Sequence, residues 1–584
     1  LDSFHLTWHD LILELLRFLA SATCVLLPGI FLAAGLRLGK NWLQTCIHGS
    51  CLGLAAAIYL ASLISQIDLR WFYPIWAGLG LVTLVYLLRS RRGWQPWEVD
   101  RSGSCWLIFI LLLVAVSRYA IALPQDLPQG WDPSFHAILA RKIQLAHHAI
   151  HDWTPFESVA LNYPTGSQTL VAVLSTICGL PVQIVFKDLI PLLGVLTTGQ
   201  IFLLTRNATG NLTAAIFGAL AYGIWANLGS IDYYHWGGLP NELAMLLFLS
   251  MLVAWLEPWP ARTRLAVMSI AYASAILTHH HVMLSSAAIL VVTLLWPAKI
   301  EKWTLLCAAV AAALLDAFFL IPYAAKITTV ASTRVFHSGE QPMGLVGLIP
   351  SFGYAFLLAS ILGIAIAIKQ RRKISIHPVA PLALVTLVIL YVLCEYVWPM
   401  FNGSTIFTPS RFPTDASSFL AIFAGVALAV LQQRLRLPRT VLVPAMLLLS
   451  AAQPQIWRPR GARPVESPGF QAACDWVRRN TSARTYVICD KDISDVDNQL
   501  SWIPYLTWRR AAYTPLPDSE PLDKVPAMRD RLLKLMSGNA PGKSPVVAIL
   551  GPNDSADFPT LWRAPSGIRV VQVWPRPQTE SLRP

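Results

Sequence analysis

Apolar stretches about 20 residues long, enough to cross a bilayer as one helix, recur from residue 12 to residue 453. Crossings are expected near 12–36, 43–65, 71–88, 104–123, 183–205, 212–229, 240–256, 264–278, 282–297, 303–323, 345–368, 379–398, 414–432 and 440–453. The first is too long for the apolar part of a signal peptide and lacks a positive flank, so it reads as a span. Only 13% of residues are charged and mean hydropathy is +0.52, whereas soluble domains carry about 25% charged residues. A soluble multidomain enzyme, a disordered tail and a fibrous protein are therefore excluded. Nine cysteines are scattered without metal spacing; inside apolar runs a thiol acts as a small hydrophobe.

Lysine and arginine mark the cytoplasmic loops. Arg37 and Lys40; Arg89, Arg91, Arg92 and Arg101; Arg206; Arg262 and Arg264; Lys299 and Lys302; Lys369, Arg371, Arg372 and Lys373; and Arg434, Arg436 and Arg439 all fall on one side of the alternating arrangement. That side is assigned to the cytoplasm. The net charge of +13 reads as loop charge of a multi-pass plasma-membrane protein, with no nucleic-acid partner. The other loops then face outward, and they hold most of the clustered His, Asp and Glu.

Four domains are expected: N-terminal spans 1–103, a membrane core 104–453 with a long outer loop 124–182, a linker 454–468, and an outer α/β domain 469–584. The fold class is mainly α, a polytopic helix bundle with that small domain appended. The long loop holds an amphipathic helix from Pro133 to Ala149. A second apolar helix, Ser167 to Cys178, is expected to lie at or dip into the outer surface. In the C-terminal domain, 469–480 patterns as a helix, and 484–490, 546–551 and 568–574 as strands.

Four outer clusters carry the candidate chemistry. In Gly130-Trp131-Asp132-Pro133-Ser134-Phe135-His136, Asp132 caps a helix whose first position suits proline, and His136 lies one turn on, on the same side. A carboxylate beside an imidazole suits general-base work or metal ligation; the plain alternative is a cap and a surface histidine. The second cluster runs from Asp232 to Glu242, with Tyr233, Tyr234, His235, Trp236, Gly237 and Gly238. It offers rings for a sugar face and acids for its hydroxyls, or else an aromatic belt at the interface. Thr278-His279-His280-His281 breaks an apolar run, and one or two of its imidazoles are placed to reach an anion. Arg411, near Asp415 at the mouth of the thirteenth span, is a bidentate clamp for a phosphate, unless it pairs with Asp415 or snorkels to headgroups. Lys187, Lys326, Arg334 and His337 are lesser candidates for the same anion, and Asp316 reads as a buried polar partner. Asn162-Tyr163-Pro164-Thr165-Gly166 is a turn by its Pro and Gly chemistry. No nucleotide loop, zinc motif or nucleophile elbow is present.

In this order, the pieces resemble the GT-C class of membrane glycosyltransferases. WDPSFHAILARKI resembles the acidic first-loop motif of that class, in the form seen in oligosaccharyltransferase catalytic subunits. NYPTGSQTL is similar to the turn that follows it in related transferases. LTHHHVMLS looks like the helical hairpin of bacterial mannosyl- and arabinosyltransferase-like members, with a histidine where proline would stand. DNQLSWIPYLTWRRAAYTP resembles the outer-domain segment, but Trp502-Ile503-Pro504 replaces the Trp-Trp-Asp of oligosaccharyltransferases, which argues against protein sequons as acceptor. The three spans ahead of residue 104 exceed the core of the class.

The resemblance implies an inverting transferase that moves a sugar from a polyprenyl-phosphate donor, held partly in membrane lipid, to a glycan, lipid or protein acceptor outside the cell. Asp132 would act as general base or as ligand of a divalent cation such as Mg or Mn, with His136 beside it. Asp232 or Glu242 would supply a second acid. Arg411 would hold the phosphate, with His279, His280, Tyr163, His235 and Trp236 lining the substrate. Two rivals remain from the residues: a secondary transporter, favoured by Asp316, and a polysaccharide polymerase or ligase acting on lipid-linked glycans. A non-catalytic membrane scaffold carrying an outer domain is a third.

Overall fold

The computed structural model describes residues 8–90, 101–123, 125, 127–128, 132–154, 156, 161, 163–297, 301–331, 337–338, 344–371, 374–402, 405–406, 409–451, 469–489, 497–511, 545–551 and 558–574. The expected linker 454–468 lies outside them.

The chain opens with α1 (Trp8–Leu36), α2 (Trp42–Ile64), α3 (Phe72–Arg89) and α4 (Arg101–Ala122). The long loop contributes α5 (Asp132–Ala146) and α6 (Gly166–Cys178) before α7 (Val182–Thr209) and α8 (Leu212–Leu220). A wide helical turn (Ala221–Trp225) and an irregular one (Asn227–Ile231) lead into the short α9 (Asp232–Trp236). There follow α10 (Leu239–Leu256), α11 (Ala261–Ile276), α12 (His280–Leu295), α13 (Lys302–Leu315) and α14 (Ala317–Ala331). Next come β1 (His337–Ser338), α15 (Gly344–Phe352), α16 (Tyr354–Lys369), α17 (Val379–Val392), α18 (Trp398–Asn402), β2 (Thr405–Ile406), α19 (Arg411–Leu435) and α20 (Arg439–Ala451). The C-terminal lobe comprises α21 (Phe470–Asn480), β3 (Tyr486–Cys489), α22 (Asp497–Thr507), β4 (Arg510–Ala511), β5 (Val546–Leu550), β6 (Thr560–Arg563) and β7 (Arg569–Trp574).

Each of the fourteen expected crossings is helical, which a bilayer requires because it offers no water to free backbone amides. The protein is an integral, multi-pass membrane protein. Among the described residues, 8 helices are long and apolar enough to cross, or 9 if α13 and α14 form one broken span. The expected count of fourteen exceeds this because several apolar stretches are interrupted. The stretch 303–323 bends by 74° at Asp316. The stretch 345–368 breaks at Gly353, whose φ of 86° ends one helix before the next begins.

The bundle packs by close backbone approach, as membrane helices do where small residues face one another. A Cβ on Gly29 of α1 would lie 2.2 Å from the Gly53 nitrogen of α2, and one on Gly363 of α16 would lie 1.9 Å from the Phe423 oxygen of α19. Contrary to the surface placement expected for it, α6 is buried along nearly its whole length. Its apolar face is wide because it packs between α5, α2, α1 and α7.

In the lobe the strand order is β4-β3-β5-β7-β6. β3 runs parallel to β4 and β5, and β7 antiparallel to β5 and β6. The short edge strands β4 and β6 escaped the sequence reading, while β3, β5 and β7 fall where alternation and β-branching place them. One face packs Val487, Val547, Ile549 and Val570 against Phe470, Cys474 and Val477 of α21; the other gathers Ile488, Ala548, Leu550 and Val571. α22 straddles two cores: Trp502 and Tyr505 belong to that of the bundle, Ile503 to that of the lobe.

Gly363→Val is expected to destabilise the protein by about 1–3 kcal/mol, the cost of overpacking a tight contact. Thermal unfolding in detergent checks this, with Leu358→Ala on the exposed face of the same helix as the neutral control.

Candidate active site

Proline and glycine chemistry places the first side chain. Asp132 begins α5 ahead of Pro133, where the amide ends of a helix stabilise a carboxylate. From there Asp132 Oδ2 meets Arg411 Nη2 at 3.2 Å, across 279 positions of sequence. Arg411 is the first residue of α19. Its Nη1 lies 3.1 Å from His279 Nε2, and its guanidinium carbon stands 4.9 Å from the centre of the Trp236 ring. A guanidinium only donates, so Nε2 of His279 carries the lone pair and that imidazole is neutral, with its proton on Nδ1.

Trp236 is itself held. Its indole N–H donates to Asp232 Oδ2 at 3.0 Å, and Thr414 Oγ donates to the same oxygen at 3.4 Å. Gly238 must be glycine here, since a Cβ would fall 2.3 Å from the Trp236 ring. Leu228 and Gly229 leave the helical region, the latter at φ 111°, and this break turns the chain so that α9 caps the start of α19.

The three histidines take different partners. His279 goes to Arg411. His280 stacks on His279 at 4.8 Å and meets the Tyr163 ring edge-on at 5.4 Å. His281 Nε2 lies 3.4 Å from Asp415 Oδ2. Asp415, offered by the sequence as a partner of Arg411, belongs instead to a buried set. Its Oδ1 accepts from Tyr233 Oη at 3.3 Å and Asn241 Nδ2 at 3.1 Å, and its Oδ2 from Ser285 Oγ at 3.3 Å. Arg411 to Asp415 is one helical turn, a spacing that permits the pair in sequence, but the helix points the two into different surroundings.

His136 is walled in by Phe135, Tyr163 and Phe186. Ser167 Oγ donates to Gln168 Oε1, which leaves Gln168 Nε2 to donate to His136 Nδ1 at 2.8 Å. Burial, with Arg411 and His280 nearby, pushes the His136 pKa down to about 3. It is therefore neutral at physiological pH and reaches the site through the Tyr163 ring. Gln168 carried no signal in the sequence beyond a polar residue in an apolar helix.

Other expected residues lie apart. His235 stands edge-on to Tyr234 at 6.2 Å. Glu242 is fully buried beside Arg118 and Tyr222, and neither of its carboxylate oxygens has a hydrogen-bond partner among the described residues. Lys187 donates to Glu14 Oε1 at 2.7 Å and to the Gln125 carbonyl at 3.0 Å, so its charge is already engaged. Asp316 is buried at the break between α13 and α14. The side chains of Lys326, Arg334 and His337 lie outside the described residues. A guanidinium meets Oδ2 of Asp132, and among the described residues no group of three or more His, Cys, Asp or Glu that could hold a metal converges.

The arrangement offers a carboxylate 30% exposed beside a guanidinium 12% exposed, both at one mouth of the bundle and walled by aromatic rings. Its architecture is shared with ArnT from Cupriavidus metallidurans, solved alone and bound to undecaprenyl phosphate, at 14% identity over 81% of this chain and 98% of that one, with a TM-score of 0.53. An archaeal oligosaccharyltransferase, AglB from Archaeoglobus fulgidus, solved with an inhibitory peptide and a dolichol-phosphate, matches at 13% identity over 76% of this chain and 69% of that one, with a TM-score of 0.52. The chain has the GT-C fold. No protein-family model and no curated protein matches the sequence. The lobe segment at Trp502-Ile503 is buried: Trp502 is 1% and Ile503 2% exposed. Those side chains pack inside the protein.

Because the folded pKa of His136 lies below the free value of about 6.5, its neutral form stabilises the fold above that pH. That contribution is lost as the medium acidifies toward 3. His136→Gln, which keeps an acceptor for Gln168, is expected to flatten the fall in melting temperature between about pH 6.5 and pH 4. An unchanged slope would separate His136 from the acid sensitivity.

Proposed function

We propose that this protein is an inverting membrane glycosyltransferase. It moves a sugar from a polyprenyl-phosphate carrier to an acceptor hydroxyl on the extracytoplasmic side of the plasma membrane, with the C-terminal lobe on that side. The reading rests above all on the Asp132–Arg411 pair, and is supported by the GT-C fold and by the orientation that the basic loops imply.

The chemistry needs one proton acceptor and one cation. The acceptor oxygen attacks the anomeric carbon from the face opposite the phosphate. Its proton passes to Asp132, and the bond from the anomeric carbon to the phosphate oxygen breaks. The carrier leaves as a phosphate monoester with one more negative charge. Arg411, backed by Trp236 and oriented by His279, stabilises that charge, in surroundings where a fixed donor is worth more than in water. Asp232 acts through Trp236 rather than on substrate. His279 and His280, with Tyr163, wall the sugar subsite. The isoprenoid chain stays in lipid, which a site at the bundle mouth permits.

In the free protein Asp132 already neutralises Arg411. A phosphate must displace the carboxylate to gain the guanidinium, so donor binding itself releases the base. The pair is partly exposed, and such pairs are worth about 1 kcal/mol.

Asp132→Asn is accordingly expected to abolish transfer yet bind undecaprenyl phosphate more tightly than wild type, by up to roughly fivefold for about 1 kcal/mol. Arg411→Ala should weaken that binding by tenfold or more, the scale of about 1.4 kcal/mol for a charge-assisted contact. Titration of the purified variants by tryptophan fluorescence reads both. Weaker binding by Asp132→Asn would remove the displacement, and unaltered binding by Arg411→Ala would remove the clamp.

A further inference from the structure

α5 presents Asp132 to Arg411 at its first residue. What holds the helix from behind is a different part of the chain. Arg141 lies nine residues further on, which at about 100° per residue places it half a turn away, on the opposite face, and about 13 Å along the axis. Its Nη1 donates to the Tyr505 carbonyl at 3.0 Å. Its guanidinium carbon sits 5.2 Å from the Tyr505 ring centre and 4.7 Å from that of Trp508, so the cation is held between two aromatic side chains of the lobe. Such contacts strengthen where water is excluded.

The lobe side of this contact is built to be rigid. Trp508 adopts φ 54°, a left-handed conformation that bulky residues rarely take. It closes α22 by donating its backbone N–H to the Pro504 carbonyl at 2.9 Å and sets its ring edge-on to Phe156 at 5.2 Å. Tyr505 Oη donates to Gln183 Oε1 at the start of α7. Arg509, immediately after Trp508, donates to the carbonyls of Arg478 at 2.7 Å and Thr481 at 2.6 Å, which ties the same corner to α21 of the lobe. One short segment thus grips the sheet domain with one side and α5 and α7 with the other.

We propose that Arg141 is a positioning residue. Through it the lobe clamps the back of α5 and fixes the carboxylate of Asp132 against the site, so that the lobe is part of the catalytic unit rather than an appended domain. The catalytic consequence rests on the transferase reading given above; the mechanical one does not.

The test uses the full-length protein in detergent. Hydrogen exchange in wild type and in Arg141→Ala should show amides across 132–146 exchanging about tenfold faster or more in the variant, while β5 in the lobe is unchanged, since local opening reports local stability. Arg141→Lys, which keeps a cation between the rings, should recover part of the protection. With lipid-linked sugars extracted from native membranes as donor, and release of polyprenyl phosphate as the readout, Arg141→Ala should lower kcat between about tenfold and a hundredfold. Binding of undecaprenyl phosphate should not weaken and should tighten by at most roughly fivefold, because Arg411 is on α19 and the carboxylate that competes for it is held less firmly. Unchanged exchange over 132–146 overturns the clamp, as does equal loss of exchange protection in α5 and β5, which marks general unfolding. If wild type itself releases no polyprenyl phosphate and binds none, the transferase reading falls while the exchange result still decides the clamp.

Discussion

Nothing inside a bilayer will hydrogen-bond a stray amide or carboxylate, so a chain of this composition must satisfy its backbone within helices and bring its irregular segments together inside protein or at a rim. The local departures follow from that constraint. The wide turn at Ala221–Trp225, the break at Leu228–Gly229 and the five-residue α9 are costly in lipid. Here they are buried against α19 and α10. What that irregular stretch delivers is the Trp236 ring under Arg411. The catalytic candidates therefore gather where the fold can tolerate non-helical chain, a rim fed by α5, α9, α12 and α19.

Much of this was legible in the sequence because the governing signals are local. Asp-Pro at 132–133 marks a helix start by cap and φ chemistry, and the helix begins at Asp132. The break at Thr278-His279 lies where four polar residues, Thr278 to His281, interrupt an apolar run, and α12 starts at His280. The bond between Asp132 and Arg411 is another matter. No spacing rule links residues so far apart, and Asp415, one turn from Arg411, is the better local partner on paper. Packing overrules it: Tyr233, Asn241 and Ser285 occupy the Asp415 carboxylate, and Arg411 is turned toward α5. Where apolar stretches break is hidden for a related reason. Hydropathy sums over a window, whereas a kink such as that at Asp316 or Gly353 depends on a single residue.

The same distinction explains the lobe. Its central strands are β-branched and buried on both faces, so they are visible as apolar runs. Its edge strands β4 and β6 are two and four residues long, too short for any periodicity. Trp502 carried a family resemblance in sequence, but its indole is 1% exposed and edge-on to Tyr505 at 5.4 Å. In this chain that position anchors a helix between the two cores.

The ion pair at the rim ties these threads together. A carboxylate and a guanidinium that neutralise each other can be kept at a partly exposed rim at modest cost, whereas either charge alone would bear its partial desolvation uncompensated. The pairing keeps the site near neutral. On the proposed reading it also makes the order of events a matter of electrostatics: an acceptor arriving before the donor would meet a carboxylate already held by a guanidinium, a weaker base than a free one. Productive deprotonation then follows only once the phosphate has taken the cation. On the proposed reading, the carboxylate of Asp132 therefore stays engaged by Arg411 until the donor's phosphate has bound.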